Sequence, residues 1–236
     1  MTIEVLVDYD NLTLLHKSRG LITIANQILG TLLPSDIPQK RKARIRLYGG
    51  WYAQGSSSRL AQELSVAIQA NFPMIITVPS IGTKLMVSME LAFALLITPH
   101  EHLLDTYRIR SCPSDLNCDD PSKHGCGDTS CPIKNVADFI KTGKCPKSTC
   151  SITPTDILYR GEQKLVDTML TTDLFYLSMN SIEPLVVVSS DDDFWPAIRS
   201  VLALGSKVVH IHTKPKRRTP THYRKTAPLT YSERHL

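Results

Sequence analysis

Two apolar runs in this chain end abruptly at acids. Ile3-Glu4-Val5-Leu6-Val7 runs into Asp8-Tyr9-Asp10-Asn11, and Pro184-Leu185-Val186-Val187-Val188 runs into Ser189-Ser190-Asp191-Asp192-Asp193. A continuous β-branched run such as the second reads as a strand covered on both faces, the situation of a parallel sheet with helices above and below it. The intervening sequence supplies the rest of that architecture. Leu21, Ile24, Ala25, Ile28, Leu29 and Leu32 fall at helical spacing. Ala43 to Tyr52 reads as a strand, Ser57 to Ala70 as a Ser-initiated helix, and Met74 to Val78 as a short strand. Thr83 to Ile97 is apolar nearly all round and is predicted to be a buried helix ended by Pro99. A helix is predicted from Gln163 to Ser178, with Val166, Met169, Leu170, Leu174 and Leu177 on one face. Phe194 to Leu204 is another, with Pro196 in its first turn and Gly205 to stop it, before a strand at Lys207 to Ile211. Alternating strands and helices define an α/β fold with a central, mainly parallel sheet.

Composition narrows the class. With 236 residues, 42% of them hydrophobic, the chain can bury one sizeable core. Glu4, Asp8 and Asp10 stand where a secretory signal would carry basic residues, so a reducing, cytoplasmic setting is expected. The longest apolar stretch, Leu85 to Ile97, is too short to span a bilayer, and no membrane association is expected. Net charge is +5, and it is concentrated. Residues 214–236 carry Lys214, Lys216, Arg217, Arg218, Arg224, Lys225 and Arg234 against Glu233 alone, which reads as a basic tail. A second basic run, Lys40, Arg41, Lys42, Arg44 and Arg46, precedes and enters the second strand. Two such clusters on an otherwise neutral body point to a polyanionic partner. Tyr48, Trp51 and Tyr52, beside Arg44 and Arg46, are candidates either to stack on bases or to pack a strand.

Ligands of open parallel sheets bind beyond the carboxyl ends of the strands. Asp8 and Asp191 end two strands, and Asp167 lies in the first turn of a helix that can reach the same rim. Carboxylates gathered this way raise one another's pKa unless a cation neutralises them. Oxygen ligands without His or Cys favour Mg²⁺ or Mn²⁺, an ion that can activate water and clamp phosphate oxygens.

Four segments carry a family resemblance: Val5-Leu6-Val7-Asp8-Tyr9-Asp10-Asn11-Leu12; Lys164-Leu165-Val166-Asp167; Val187-Val188-Ser189-Ser190-Asp191-Asp192-Asp193-Phe194; and Ala203-Leu204-Gly205-Ser206-Lys207-Val208-Val209. Their order and pattern resemble the NYN domain of the PIN-like metal-dependent ribonucleases, LabA-like proteins included. The resemblance implies a PIN-like three-layer sandwich and a Mg²⁺ or Mn²⁺ centre that hydrolyses RNA phosphodiester bonds. It implies Asp8, Asp167 and Asp191 as metal ligands, Asn11 and Asp193 as groups orienting ligands or water, Ser189 or Ser190 against a phosphate, and Lys164 near the scissile phosphate. Glu90 is a further acid of the kind such enzymes add from a central helix, and Asp173 is expected to support the site from behind or to face solvent. Arg44, Arg46, Lys216, Arg217 and Arg218 complete the candidate substrate-binding set, with RNA the expected partner and single-stranded DNA a second candidate. Ser190 stands where the family often has Gly.

The sandwich is expected to comprise residues 1–99 and 155–213, interrupted at 100–154. All six cysteines lie in that interruption, between Cys112 and Cys150, in a stretch with few large apolar groups. Something must hold such a segment together. Cys126, Cys131, Cys145 and Cys150 are the candidate ligands of one structural Zn²⁺, an iron–sulfur cluster and disulfides being the other options. Cys112, Cys118 and His124 are left free or form a second site. The insertion is also a candidate surface for a protein partner or a second copy of the chain. Two rival readings of the whole remain: a haloacid-dehalogenase-like phosphatase with Asp8 as nucleophile and Asp10 as general acid, and a non-catalytic zinc-containing nucleic-acid-binding protein.

Overall fold

The computed structural model describes residues 2–36, 41–53, 55–79, 82–111, 116–128, 130–180 and 184–236. Lys40 and Cys112, singled out above, lie outside them. The chain divides into two compact units, Met1–Thr106 with Gln163–Leu236, and Tyr107–Glu162.

In chain order the elements are β1 (Thr2–Asp8), α1 (Leu14–Ser18), α2 (Leu21–Gly30), β2 (Lys42–Tyr48), β3 (Tyr52–Ala53), β4 (Ser56–Ser57), α3 (Arg59–Asn71), β5 (Met74–Val78), β6 (Thr83–Leu91) and β7 (Tyr107–Ser111). Then follow α4 (Pro132–Thr142), α5 (Pro154–Ile157), β8 (Tyr159–Gln163), α6 (Val166–Asn180), β9 (Leu185–Val188), α7 (Trp195–Ala203), β10 (Val208–His212), α8 (Thr221–Arg224) and β11 (Tyr231–His235).

The larger unit is built on one sheet of order β11-β10-β9-β1-β2-β6-β5 among the described residues. Every neighbouring pair is parallel except β5 with β6. The predicted strand with the densest β-branched run, β9, lies inside it between β1 and β10, and all four of its residues are buried. Alternation along β1 sends Ile3, Val5 and Val7 into a core with Leu21, Ile24, Ile28 and Leu29 of α2 and Ala61 and Leu64 of α3. Leu6 enters the opposite core with Val166, Met169, Leu170 and Leu174 of α6 and Ile198 and Val201 of α7. The sheet therefore has one hydrophobic layer on each face. Full burial of such a Leu or Ile contributes roughly 1.5–3 kcal/mol each. The initiating serine is Ser58, one residue beyond the expected Ser57: its hydroxyl accepts from Ala61 N–H at 3.2 Å to start α3, and Gly205, at φ +91°, turns the chain out of α7 as read.

Two expectations are corrected and one open choice is decided. The predicted buried helix at Thr83 to Ile97 is strand β6 over Thr83–Leu91. Leu85, Val87, Met89 and Leu91 alternate inward with Lys84, Met86, Ser88 and Glu90 outward, and Met86, 45% exposed, disguised the period of two. The basic tail is folded: α8 and β11 lie within it, and β11 adds to the sheet edge parallel to β10. Trp195 stacks on Tyr223 and meets Tyr231 edge-on, both at 5.4 Å between ring centroids. Finally Tyr48 and Trp51 are fully buried, with the Trp51 indole N–H donating to Leu47 O at 2.9 Å, so neither presents a ring to a base.

The smaller unit, Tyr107–Glu162, contains β7 beside β8, helix α4 and the short α5. Arg110 pairs with Glu162 at 3.3 Å. No described helix is long and apolar enough to cross a membrane.

Candidate functional site

Three loops meet where β1, β9 and β10 end, and hydrogen bonds between distant segments hold them. Asp8, the last residue of β1, is only 6% exposed. Its Oδ2 accepts from the Ser189 hydroxyl at 2.9 Å and its Oδ1 from Asn11 N–H at 3.2 Å. Ser189 also accepts from Asp191 N–H at 3.1 Å, so one hydroxyl connects Asp8 and Asp191. The Asn11 side chain accepts from Ser190 N–H at 2.8 Å and from the Thr213 hydroxyl at 2.7 Å. Ser190 in turn accepts from Thr213 and Lys214 N–H groups at 2.9 and 3.0 Å.

Electrostatics show which acids gather. Burial pushes Asp8 up to about 6, against the stabilising bonds from Ser189 and Asn11, with Asp167 and Asp10 adding to the rise. Asp167, on the first turn of α6, is raised by burial and then by Asp191, Asp193 and Asp10. Asp10 is raised by burial despite the Gln163 side chain, Lys17 and the Gly50 N–H, and its Oδ2 is buried with no hydrogen-bond partner. Asp167 thus feels Asp191, Asp193 and Asp10, Asp8 feels Asp167 and Asp10, and Asp8 and Asp191 share the Ser189 hydroxyl. Asp10 is an addition, since the sequence suggested it only as the acid of a phosphatase. Asp191 caps the turn at Asp192–Phe194, its Oδ1 accepting from Asp193 N–H at 3.0 Å.

Other candidates have different partners. Ser189 and Ser190 are 0% and 4% exposed, and their hydroxyls are committed to the bonds above. They orient Asp8, Asn11 and the Thr213 loop rather than reaching for a phosphate. Lys164 stands half-buried just before α6, its N–H donating to Thr106 O at 2.9 Å. Lys214, Lys216, Arg217 and Arg218 are exposed on the loop leaving β10. Arg217 there pairs with Asp192, next to the carboxylate cluster.

Arg44 and Arg46 belong to the sheet instead of a nucleic-acid surface. Arg44 pairs with Glu4 at 2.8 Å. Arg46, 8% exposed, pairs with Glu90 at 2.6 Å and with Asp173 at 3.2 Å and donates to Ala94 O. Glu90 is therefore an ion-pair partner on β6, not an acid of the cluster. Asp173 is 0% exposed, contrary to a solvent-facing expectation; it accepts from Tyr48 O–H and Leu96 N–H, both at 2.8 Å.

Behind Ser189 lies a support that sequence reasoning missed. His210 is buried, and burial followed by the neighbouring His212 holds its pKa down at about 3. The ring is neutral, so its Nε2–H donates to Ser189 O at 3.0 Å and its Nδ1 accepts from Tyr231 O–H at 3.0 Å. His212 donates to Glu233 at 2.8 Å, and Glu233 also accepts from Thr219 N–H at 2.6 Å. The i, i+2 spacing of His210 and His212 on a strand was the available signal, since it places both rings on one face.

In the smaller unit none of the five described cysteines is in a disulfide. The side chains of Cys126 and Cys131 interact. Cys145 and Cys150 line a cavity of about 330 Å³ with Val136 and Phe139 of α4. His124 lies 3.6 Å from Asp119. Among the described residues no three of His, Cys, Asp and Glu stand in the arrangement of a metal site, at the cysteines or at the aspartates. No family model, curated protein or solved structure matches this chain.

Proposed function

We propose that the chain is a divalent-metal-dependent endoribonuclease. What supports this reading is the mutual influence of acids from three distant segments: Asp167 is raised by burial and then by Asp191, Asp193 and Asp10, and Asp8 by burial and then by Asp167 and Asp10. Such a cluster is unfavourable by itself and favourable around a cation. The residues fit a hard ion: every donor is a carboxylate oxygen, and Asp10 Oδ2 is buried without a partner. Mg²⁺ keeps several waters and is often held by only one or two carboxylates, so it suits an open rim. When bound, the ion would supply a nucleophilic water and neutralise phosphate charge.

The chain's own residues do the rest. Ser189 and Asn11 N–H fix the direction of the Asp8 carboxylate and favour its charged form. Asn11, Ser190 and Thr213 tie the loop carrying Lys214, Lys216, Arg217 and Arg218 to the acids. Exposed cations beside the carboxylates suit a phosphate backbone approaching the rim. The choice of RNA rests on the resemblance to NYN segments.

The test is incubation of the purified chain with labelled single-stranded RNA, structured RNA and DNA, with Mg²⁺, Mn²⁺ or chelator, beside Asp8→Asn and Asp191→Asn. RNA cleavage that requires metal and disappears in both variants is expected. Cleavage surviving either substitution, or an acid-stable phosphate adduct on Asp8 with a small phosphomonoester, would overturn the proposal.

A further inference from the structure

We infer that a cavity on the α6 side of the sheet holds a guanine base of single-stranded RNA, with Glu90 as the group that selects it. The choice of RNA as its source rests on the nuclease reading, whereas the affinity for the base does not. The cavity has a volume of about 380 Å³, and its walls include Arg44, Arg46, Glu90, Phe93, His100 and His102, all of the larger unit. That volume falls at the lower end of the range for small-ligand sites.

Main-chain bonds fix one wall. After β6 the chain doubles back: Ala94 forms an antiparallel bridge with His102, Leu95 N–H donates to Glu101 O at 3.0 Å, and Leu103 N–H donates to Phe93 O at 3.2 Å. The return sets His100 and His102 on the cavity wall. Phe93 packs on Tyr52 at 5.1 Å between ring centroids, and Tyr52 meets His102 at 6.3 Å. A planar base finds an aromatic surface here that is already held in place.

The polar groups decide which base. Both arginines are committed to the sheet: Arg44 to Glu4 at 2.8 Å, and Arg46 to Glu90 at 2.6 Å, to Asp173 at 3.2 Å and to Ala94 O. With these three carboxylates against two guanidiniums, the floor offers no surplus positive charge for a phosphate. It offers acceptors. Arg46 meets Glu90 through Oε1, the Glu90 side chain is 42% exposed, and a carboxylate accepts from about four directions. His100 Nδ1 donates to Leu95 O at 3.1 Å, since a carbonyl only accepts, so in its neutral form the ring leaves Nε2 bare. A ligand suited to these groups brings N–H donors. Among the RNA bases, guanine alone carries adjacent donors, N1–H and the N2 amino group, on one edge, and they can face a carboxylate as a guanidinium does. Uracil has a single N–H on that edge, and adenine and cytosine place a bare ring nitrogen beside their amino group, which a carboxylate repels.

The cavity also shares a face with the aspartates. Leu6 stands opposite Arg46 and Asp8 opposite Tyr48 in the β1–β2 register, and alternation puts all four on the side that α6 covers. Asp173, paired with Arg46, and Asp167 are both on α6, roughly 9 Å apart along its axis. One short stretch of strand can therefore seat a base in the cavity and a phosphate at the rim.

Isothermal titration calorimetry on the full chain at neutral pH, in chelator, would compare the monophosphates of guanosine, inosine, adenosine, cytidine and uridine. The phosphate is common to all, so differences read the base. Guanosine monophosphate should bind about tenfold tighter than the adenosine, cytidine and uridine nucleotides, and the inosine nucleotide, lacking the N2 amino group, should lose most of that advantage. Glu90→Gln should abolish the preference. Because that change also loosens Arg46, His100→Ala at an exposed position supplies a second variant, which should weaken guanosine monophosphate several-fold with urea unfolding unchanged. A short oligoadenylate should gain a similar factor when one central adenosine is replaced by guanosine. Three results would overturn the inference: equal affinities for all the nucleotides; a guanine preference that survives Glu90→Gln; or inorganic phosphate displacing guanosine monophosphate as readily as guanosine does, which would make this an anion site. A preference seen with the free nucleotide and not with the oligonucleotide would overturn RNA as the source. The two readings fail separately: guanine-selective binding without metal-dependent cleavage removes the nuclease and keeps the cavity's assignment, whereas cleavage with equal nucleotide affinities does the reverse.

Discussion

Replacing Asp8 by Asn should stabilise the fold while removing the carboxylate on which the proposed chemistry depends. Asp8 is 6% exposed, and its pKa rises from 3.8 to about 6 on folding, chiefly through burial. A folded state that binds this proton more tightly than the unfolded chain loses stability as pH climbs from about 4 to about 6, and above that window the loss is complete. A rise of that size corresponds to about 3 kcal/mol at pH 7. The Asn side chain escapes that penalty. It retains one of the two bonds from Ser189 O–H and Asn11 N–H and forfeits the other, at about 1 kcal/mol. The variant should therefore be more stable by about 2 kcal/mol at pH 7 and less stable by about 1 kcal/mol at pH 3, where the native carboxyl carries its proton in the folded state and largely in the unfolded one. Comparing the two proteins at each pH cancels the titrating groups that do not interact with Asp8, leaving only its acidic neighbours Asp167 and Asp10. Urea unfolding followed by tryptophan fluorescence reads the correct unit, because both tryptophans, Trp51 and Trp195, lie in it. Mg²⁺ at ten times its dissociation constant should add about 1.4 kcal/mol to the native protein and much less to the variant. A stability difference that does not grow between pH 4 and pH 7 would refute the assignment of Asp8 as a buried, strained carboxylate.

Other perturbations reach other parts of the molecule. Arg46→Met should destabilise the sheet by about 3–5 kcal/mol in urea unfolding, because Asp173 loses its buried counter-charge; adding Asp173→Asn, which removes that charge while keeping an acceptor for Tyr48 O–H or Leu96 N–H, should restore part of that, and a double variant no better than the single would count against the pairing. Replacing Lys216, Arg217 and Arg218 together by Ala should reduce the slope of log affinity against log salt for single-stranded RNA by about 2, measured by fluorescence anisotropy, if all three neutralise phosphates; an unchanged slope would remove this loop from the binding surface. The Cε1 proton of His210 should hold a constant NMR shift from pH 8 to pH 4.5, since its folded pKa lies at about 3. Because that value is depressed on folding, the penalty from His210 appears as pH falls below the ordinary imidazole range. A midpoint near 6 would contradict the neutral ring donating to Ser189.

The elements that the sequence predicts well carry their whole signal locally. Runs dominated by Val and Ile need no partner to be recognised: Leu185–Val188 is apolar throughout, Val208–Ile211 is broken only by His210, and both end where the chain turns polar. The Ser58 cap and Gly205 likewise act within a few residues. Misreadings arise where the decisive partner is far away in sequence. Arg44 and Arg46 look like a phosphate-binding run until Glu4, Glu90 and Asp173 are brought alongside them. Residues 231–235 look like tail because Glu233 and Arg234 are charged. In the fold Glu233 meets His212 and Thr219, and Arg234 lies 3.6 Å from Asp36. Of the candidate site, the positions of Asp8, Asp167 and Asp191 were legible because strand ends and helix starts share a rim. The duties of Ser189, Ser190 and Thr213 were not, because a hydroxyl's partner is chosen by geometry and not by its own identity.

The interlocking of Asn11, Ser190 and Thr213 sets the terms on which this rim can diverge. Exchanging Ser190 for Gly would leave the N–H groups of Thr213 and Lys214 without their shared acceptor. Such a descendant would need a compensating change at position 213 or 214 in the same lineage. Positions 11, 190 and 213 should therefore drift as a set, while the neighbouring exposed positions 216 and 218 remain free to track whatever each descendant binds.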